Sequence, residues 1–230
     1  MDKRFLGILV AIVIIFAGIF AFSQHSNNKT DSSSTSSSSG QASNHLQGLG
    51  QKGVTLLEYG DYECPVCSEY WQPLKQVQTQ FNSQIYFQFR NLPLSQIHPN
   101  AFASARAAEA AGLQGKYFQM HDLLYQNQDP TGQSGWVASK DPLTYFTSYA
   151  QQIGLNVDQF KQDYAGSKVN DTINADLTAF NKTGQQMATP TFFLDGKYID
   201  NSQLVDSKTG QVSTTKFATL INAEIAKKAQ

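Results

Sequence analysis

Three kinds of hydrophobic pattern follow one another along the chain. Phe5 to Phe22, "FLGILVAIVIIFAGIFAF", is apolar and uncharged throughout, about the length of a helix that crosses a bilayer. Lys3 and Arg4 precede it and a polar tract follows, so the positive-inside rule predicts that the rest of the chain lies outside the cytoplasm. Residues 1–22 are therefore expected to be a single-pass membrane anchor. A cleaved signal peptide is the alternative, with a shorter apolar region of about 7–15 residues as its usual form. From Ser23 to about Gly50 there is almost nothing apolar to bury, and "KTDSSSTSSSSGQASN" predicts a disordered, Ser-rich linker over 23–50. The folded domain is expected over 51–230.

Within that domain the periods change. "VTLLEY", Val54 to Tyr59, is a short run of strand formers closed by Gly60-Asp61, and predicts a buried strand ending in a turn. From Pro65 to about Phe81, Val66, Tyr70, Leu74, Val77 and Phe81 recur at three- and four-residue steps, as on an amphipathic helix. Pro65 suits its first turn, where a missing N–H costs nothing. "IYFQFR", Ile85 to Arg90, predicts a second strand, and a strand, helix and strand in close succession predict parallel pairing. From about His98 to Thr183 the patterns are helical alone. Then "TFFL" and "KYI" flank Asp195-Gly196, a strong hairpin signal, and a last amphipathic helix is expected over Thr214 to Lys228. The fold class is α/β, with βαβ and ββα units around a mixed sheet and an all-helical insertion over about 98–183.

Composition narrows the partners. Hydrophobic residues make up 40% of the chain, with 15 Phe and 10 Tyr, enough to fill a core. A formal net charge of −1 provides no basic face for nucleic acid, whose phosphates call for clustered Lys and Arg.

The chain has two cysteines, Cys64 and Cys67 in "ECPVC". As a structural bridge they would close a loop so short that the gain is only about 2 kcal/mol. A closed zinc site needs four Cys or His ligands, and the histidines stand at 25, 45, 98 and 121, two of them in the predicted linker; no metal site is expected. A redox pair accounts for position as well as spacing. Cys64 falls where the strand's turn becomes a helix, so its sulfur meets unpaired N–H groups and the positive end of the helix dipole, which stabilise a thiolate. That makes Cys64 the candidate nucleophile and Cys67, one turn on and deeper, the candidate resolving thiol. Glu58 shares a strand face with Val54 and Leu56, which puts a carboxyl group among apolar neighbours and raises its pKa toward the range useful for proton transfer. The contrary reading is a strand-end Glu that reaches solvent.

"VTLLEYGDYECPVC", followed far downstream by "ATPTFFLDG", resembles the DsbA-type thiol-disulfide oxidoreductases of the thioredoxin superfamily, a bacterial cell-envelope family. The resemblance covers Val54 to Lys228 and implies a thioredoxin fold with a helical insertion. It implies a cis Thr189-Pro190 bond facing the sulfurs, and pairing of the Thr189 backbone with an extended substrate segment, a short β-augmentation. Pro65 and Val66, between the cysteines, would complete the substrate-facing surface. The family places an acid six residues before the first cysteine, where Glu58 stands, to take the proton of Cys67. DsbA itself has a histidine where this chain has Val66, a departure that would leave the Cys64 thiolate less stabilised. Asp61 and Glu63, if near the sulfur, would act in the same direction. His98 and His121 are expected in structural hydrogen bonds, and Tyr70 and Trp71 in the core.

The function these features imply is an extracytoplasmic oxidase, tethered to the cell membrane, that introduces disulfides into reduced, unfolded exported proteins without a bound cofactor. Its implied reoxidant is a quinone-linked membrane protein of the DsbB or VKOR type. An isomerase or reductase would run the same chemistry in another direction, because potentials in the superfamily span about −270 to −120 mV. A non-catalytic thioredoxin-like binding domain or metal chaperone is the alternative outside enzymes, with copper carriage disfavoured by the lack of a Met or His cluster.

Overall fold

The computed structural model describes residues 40–230. The predicted anchor, residues 1–22, and the predicted linker up to residue 39 lie outside the described residues. Among the described residues no helix is long and apolar enough to cross a membrane.

Five strands, β1 (His45–Gln47), β2 (Val54–Gly60), β3 (Ile85–Asn91), β4 (Thr191–Leu194) and β5 (Lys197–Ile199), form one sheet in the order β1-β3-β2-β4-β5. β2 pairs in parallel with β3 from Val54↔Ile85 to Gly60↔Asn91, and antiparallel with β4, where Glu58 faces Phe192 and Tyr59 faces Thr191. The helices are α1 (Pro65–Phe81), α2 (Ala101–Gly112), α3 (Tyr117–Gln126), α4 (Leu143–Gln152), α5 (Val157–Ala165), α6 (Ser167–Asn181) and α7 (Thr214–Lys228). The expected βαβ and ββα units are both present, with α2 to α6 between them. Asp195 (φ 52°) and Gly196 (φ 79°) form the turn between β4 and β5. Both lie in the left-handed region that a tight two-residue hairpin demands. Gly60 ends β2 for a steric reason: a Cβ there would sit 2.5 Å from the Phe89 ring.

Alternation along the strands divides the core between the two faces of the sheet. Leu56, Phe192 and Leu194 join Tyr70 and Leu74 of α1 and Phe217 and Ile221 of α7 in the larger cluster. Tyr59 and Phe193 turn the other way and pack with Leu92 and Phe180 of α6, where the rings of Tyr59 and Phe180 meet edge-on at 5.1 Å. On α1 the buried positions are Cys67, Tyr70, Leu74, Val77 and Phe81. Val66 departs from the expected stripe and is 42% exposed, because Cys67 takes the inward position in the first turn.

The domain begins earlier than Gln51. β1 lies within the segment expected to be linker and pairs antiparallel with β3, with His45 opposite Phe89. Its apolar content is low, and polar contacts hold it. Ser43 donates its N–H (2.7 Å) and its hydroxyl (2.8 Å) to the Asp176 carboxylate of α6, which also accepts from the Asn91 N–H at 3.0 Å. His45 Nε2 lies 2.9 Å from Glu109 of α2 and its ring stacks on Tyr117 at 3.4 Å, so His45 is part of the fold and not of a stalk. Asn91 Nδ2 donates to Glu109 at 2.6 Å. Without residues 40–50 two buried carboxylates lose partners, which costs more than the pairings themselves contribute. A fragment starting at Gln51 is accordingly expected to be less stable than one starting at Gly40 by about 2–4 kcal/mol. Urea denaturation of the two fragments checks this, and equal midpoints would contradict it.

Candidate functional site

The site forms where the end of β2 and the start of β4 meet. Cys64 is the N-cap of α1, with extended backbone (φ −69°, ψ 120°), no side-chain cap hydrogen bond and Pro65 in the first turn. An N-cap side chain normally accepts from the exposed N–H groups of the first turn. A neutral thiol is a poor acceptor, but a thiolate is a good one, so ionisation of Cys64 satisfies the helix end. The Thr189-Pro190 peptide bond is cis, and the Cys64 Sγ lies 3.6 Å from the Thr189 carbonyl oxygen. The Thr189 hydroxyl is buried with no hydrogen-bond partner. Asn201, just after β5, donates to the Pro190 carbonyl at 2.9 Å, and the Thr191 hydroxyl donates to Ala188 at 2.7 Å, which pins this loop from both sides.

The two sulfurs differ. Cys67 is fully buried and Cys64 retains 5% exposure; both are free thiols. A hydrogen bond from Cys67 is the main influence on Cys64, aided by Thr189 and the Cys67 amide. Together they outweigh burial and the repulsion of Asp61 and bring its pKa down to about 6. The expected contest between helix terminus and neighbouring acids is thus decided for the thiolate. For Cys67, burial, the hydrogen bond to Cys64 and the negative charges of Cys64 and Glu58 all push the thiol well above its ordinary value.

Glu58 is 3% exposed, as its strand face predicts. Burial first, then the Cys64 charge, raises its pKa to about 8.

Asp61 and Glu63, expected to oppose the thiolate if near it, have partners that the sequence does not mark, and Gln128 had no signal there. Asp61 is enclosed in the turn before Cys64. Its carboxylate accepts from the N–H groups of Glu63 (2.8 Å) and Leu94 (2.9 Å) and lies 2.7 Å from His98 Nδ1. Gln128 Nε2 donates to the carbonyls of Tyr62 (2.7 Å) and Cys64 (3.0 Å), clamping the turn to the helical insertion. The Glu63 carboxylate accepts from Asn100 N–H at 2.5 Å. Apart from the Glu63 amide, two residues from Asp61, these partners are far away in sequence, and no local pattern marks them. His98 and His121 do make hydrogen bonds, His121 through Nδ1 to Asp122 at 3.1 Å. Tyr70 is core, whereas Trp71 is partly buried and donates to Asp122 at 3.2 Å. Beside the cysteines a cleft of about 750 Å³ is lined by Pro65, Ile97, His98, Pro130 and Val137 among others. Among the described residues no cluster of His, Cys, Asp and Glu could hold a metal ion.

A mixed five-stranded sheet, a Cys-x-x-Cys pair at a helix N-terminus and a cis-proline against the first sulfur define a thioredoxin-type fold of the DsbA-like kind. A family model described as thioredoxin matches residues 41–213, and the chain belongs to that family. Among solved structures, the chain is similar to BdbD from Bacillus subtilis (TM-score 0.65, 21% identity, covering 81% of this chain and 97% of that one). It is also similar to alpha-DsbA1 from Wolbachia pipientis (TM-score 0.61, 20% identity, 80% and 92%). Curated relatives include a Na+/H+ antiporter NhaA 1 from Salinispora arenicola, 34% identical over 179 residues that make up 76% of this chain and 25% of the antiporter. One from a Mycobacterium species is 36% identical over 160 residues. The chain spans about a quarter of the length of these relatives.

The raised pKa of Glu58 has a consequence for stability. An acid whose pKa is higher in the folded state binds its proton more tightly there, so its contribution is intact below the unfolded value of 4.5 and is lost as pH rises toward about 8. In the disulfide form, where no thiolate competes, wild-type stability is expected to fall by roughly 2–4 kcal/mol between about pH 5 and 8. Glu58→Gln should flatten that slope whatever it does to the intercept. Denaturation at a series of pH values checks it, and parallel curves for the two proteins would rule out the assignment.

Proposed function

We propose that the domain is an extracytoplasmic thiol-disulfide oxidoreductase that donates a Cys64–Cys67 disulfide to exported proteins. The observation that carries this reading is the asymmetry of the pair: Cys64 held at about 6 and Cys67 well above its ordinary value. A substrate thiolate attacks Cys64 Sγ, the Cys64–Cys67 bond breaks, and the electron pair leaves on Cys67. Cys67 then takes a proton, and Glu58, a buried acid poised near neutrality, is the group placed to supply it. The substrate's second thiolate attacks its own sulfur in the mixed disulfide, and Cys64 leaves as a stabilised thiolate. The substrate has lost two electrons and the cysteine pair has gained them. A low-pKa leaving group favours this direction over reduction.

The surroundings of Cys64 suit an unfolded polypeptide. Val66 is 42%, Met187 49% and Ile97 69% exposed, an apolar rim that a folded surface rarely matches and an unfolded chain does. The Thr189 backbone, whose carbonyl lies against the Cys64 sulfur, offers main-chain pairing to an extended segment. In this reading the reduced pair returns its electrons to a quinone-linked membrane protein of the DsbB or VKOR type, with Glu58 accepting the Cys67 proton in reverse. A membrane tether at residues 1–22 and a linker would keep the domain beside that partner, on the outer face of the cell membrane.

Purified protein in its disulfide form is expected to reactivate a reduced, unfolded ribonuclease. Cys64→Ser should reduce the rate to background, and Cys67→Ser, offered ribonuclease that already carries scrambled disulfides, should accumulate mixed disulfides as its Cys64 thiolate attacks them and no resolving thiol is present. The pair's potential in glutathione buffers is expected between roughly −200 and −120 mV. A value near −270 mV would reassign the domain as a reductase, and turnover by Cys64→Ser would reject the mechanism altogether.

A further inference from the structure

Asp61 poses a problem for the thiolate beside it. Its side chain has no solvent exposure, and three hydrogen bonds hold it in the turn that carries Cys64. A negative charge held there opposes a second one on the sulfur. Among the described residues, the cation source in contact with it is His98, from the segment between β3 and α2, whose Nδ1 is 2.7 Å from the carboxylate and whose side chain keeps 16% exposure. That exposure lets the ring exchange a proton with solvent.

The other charged groups around His98 are accounted for. Glu63 is bound to the Asn100 amide. Asp129 and Lys140 line the same cleft, with the Asp129 carboxylate occupied by Thr131, Gln133 and Ser134. Asp61, the Cys64 thiolate and Glu63 all favour the imidazolium, Asp61 most strongly, and against partial burial they raise the His98 pKa.

We propose that His98 is a positioning residue for the nucleophile: as an imidazolium bonded to Asp61 it neutralises that buried charge, and so permits Cys64 to ionise. The inference rests on the reading of Cys64 as nucleophile and adds a remote residue to it. His98 acts on the sulfur through Asp61. The pair is therefore a two-part electrostatic setting of the site, in which the acid shapes the turn and the base removes the acid's cost.

The test is the ultraviolet titration of the Cys64 thiolate in the reduced full chain, with the rate of alkylation by iodoacetamide as a second readout. His98→Gln keeps a hydrogen-bond donor and loses the charge. It should raise the Cys64 pKa by about half a unit or more and slow alkylation near pH 6 by about twofold or more. Asp61→Asn should move the pKa the other way, and His98→Lys should restore most of the wild-type value. In the Asp61→Asn background, His98→Gln should have little further effect, a non-additivity that a purely structural role for His98 would not produce. An unchanged pKa in folded His98→Gln overturns the proposal, as does an equal rise with and without Asp61. Should His98→Gln not fold, NMR titration of the His98 ring in the reduced wild-type chain decides, and a ring already neutral at the pH where Cys64 ionises overturns it. A wild-type thiol titrating near its ordinary value of about 8.5 would instead remove the nucleophile reading, while the difference between variants would still measure His98.

Discussion

The register of β2 between its two neighbours is the constraint from which the site follows. β2 runs parallel to β3 and antiparallel to β4, with Tyr59 opposite Thr191. Chain leaving the end of β2 and chain entering the start of β4 must therefore meet at the same edge. Cys64 is on the first and Thr189-Pro190 on the second. A slip of one residue would turn every side chain of β2 to the opposite face, placing Glu58 among Leu92, Phe180 and Phe193 and away from the cysteines. The hydrophobic alternation that makes Leu56 and Tyr59 face different clusters thus also sets where the carboxyl group stands. Packing and chemistry depend on the same pairing.

Six acids are buried among the described residues: Glu58, Asp61, Glu63, Glu109, Asp176 and Glu224. Five have hydrogen-bond or ion-pair partners, Glu63 through the Asn100 amide and Glu224 through Lys197 and Lys227. Asp176 accepts from Ser43 and Asn91, Glu109 bonds His45 and Asn91, and Asp61 bonds two amides and His98. Burial with several hydrogen bonds makes an acid architectural, because the ion is then compensated where it stands. Glu58 has no such set and its pKa rises to about 8. It is the buried acid whose proton is easily moved near neutral pH, and it sits with the two sulfurs. Comparing the six separates a proton carrier from five acids held by their partners, without appeal to its position in the sequence.

Features carried by local chemistry were legible in the sequence. The Cys-Pro-Val-Cys turn, the Asp195-Gly196 hairpin, the α1 stripe and the strand-face placement of Glu58 each depend on residues a few positions apart. The strand β1 was not legible, because "HLQ" has neither alternation nor length and adjoins a Ser-rich tract. Its place is decided by Phe87 to Phe89 of β3 and by Asp176, all remote in the chain. Val66 was misplaced on the buried stripe because periodicity alone does not reveal which of two residues in a first turn points inward. Gln128, Asn201 and the bond between Asp61 and His98 depend on the tertiary fold, and their residue types are common in loops and turns. The cis Thr189-Pro190 bond was expected only through family resemblance; the residues alone allowed a trans proline at a strand start.

The asymmetry of the cysteines has a structural origin that does not require unusual residues near them. Both sulfurs belong to the first turn of one helix and are one turn apart, yet one is an N-cap at the surface margin and the other is enclosed. As a thiolate the N-cap sulfur is placed to accept hydrogen bonds from N–H groups that a helix start leaves unsatisfied. The enclosed sulfur faces Glu58 and apolar neighbours, where a charge is costly. Val66, between them, points outward and contributes nothing to either ionisation by charge. Stabilisation of the Cys64 thiolate therefore comes from the backbone at the helix start, from Cys67 and from the Thr189 segment, which means that it depends on the sheet register holding that segment in place. A thiol pair of this kind gains its direction from the fold around it, and the two chain segments that β2 brings to one edge are what supply it.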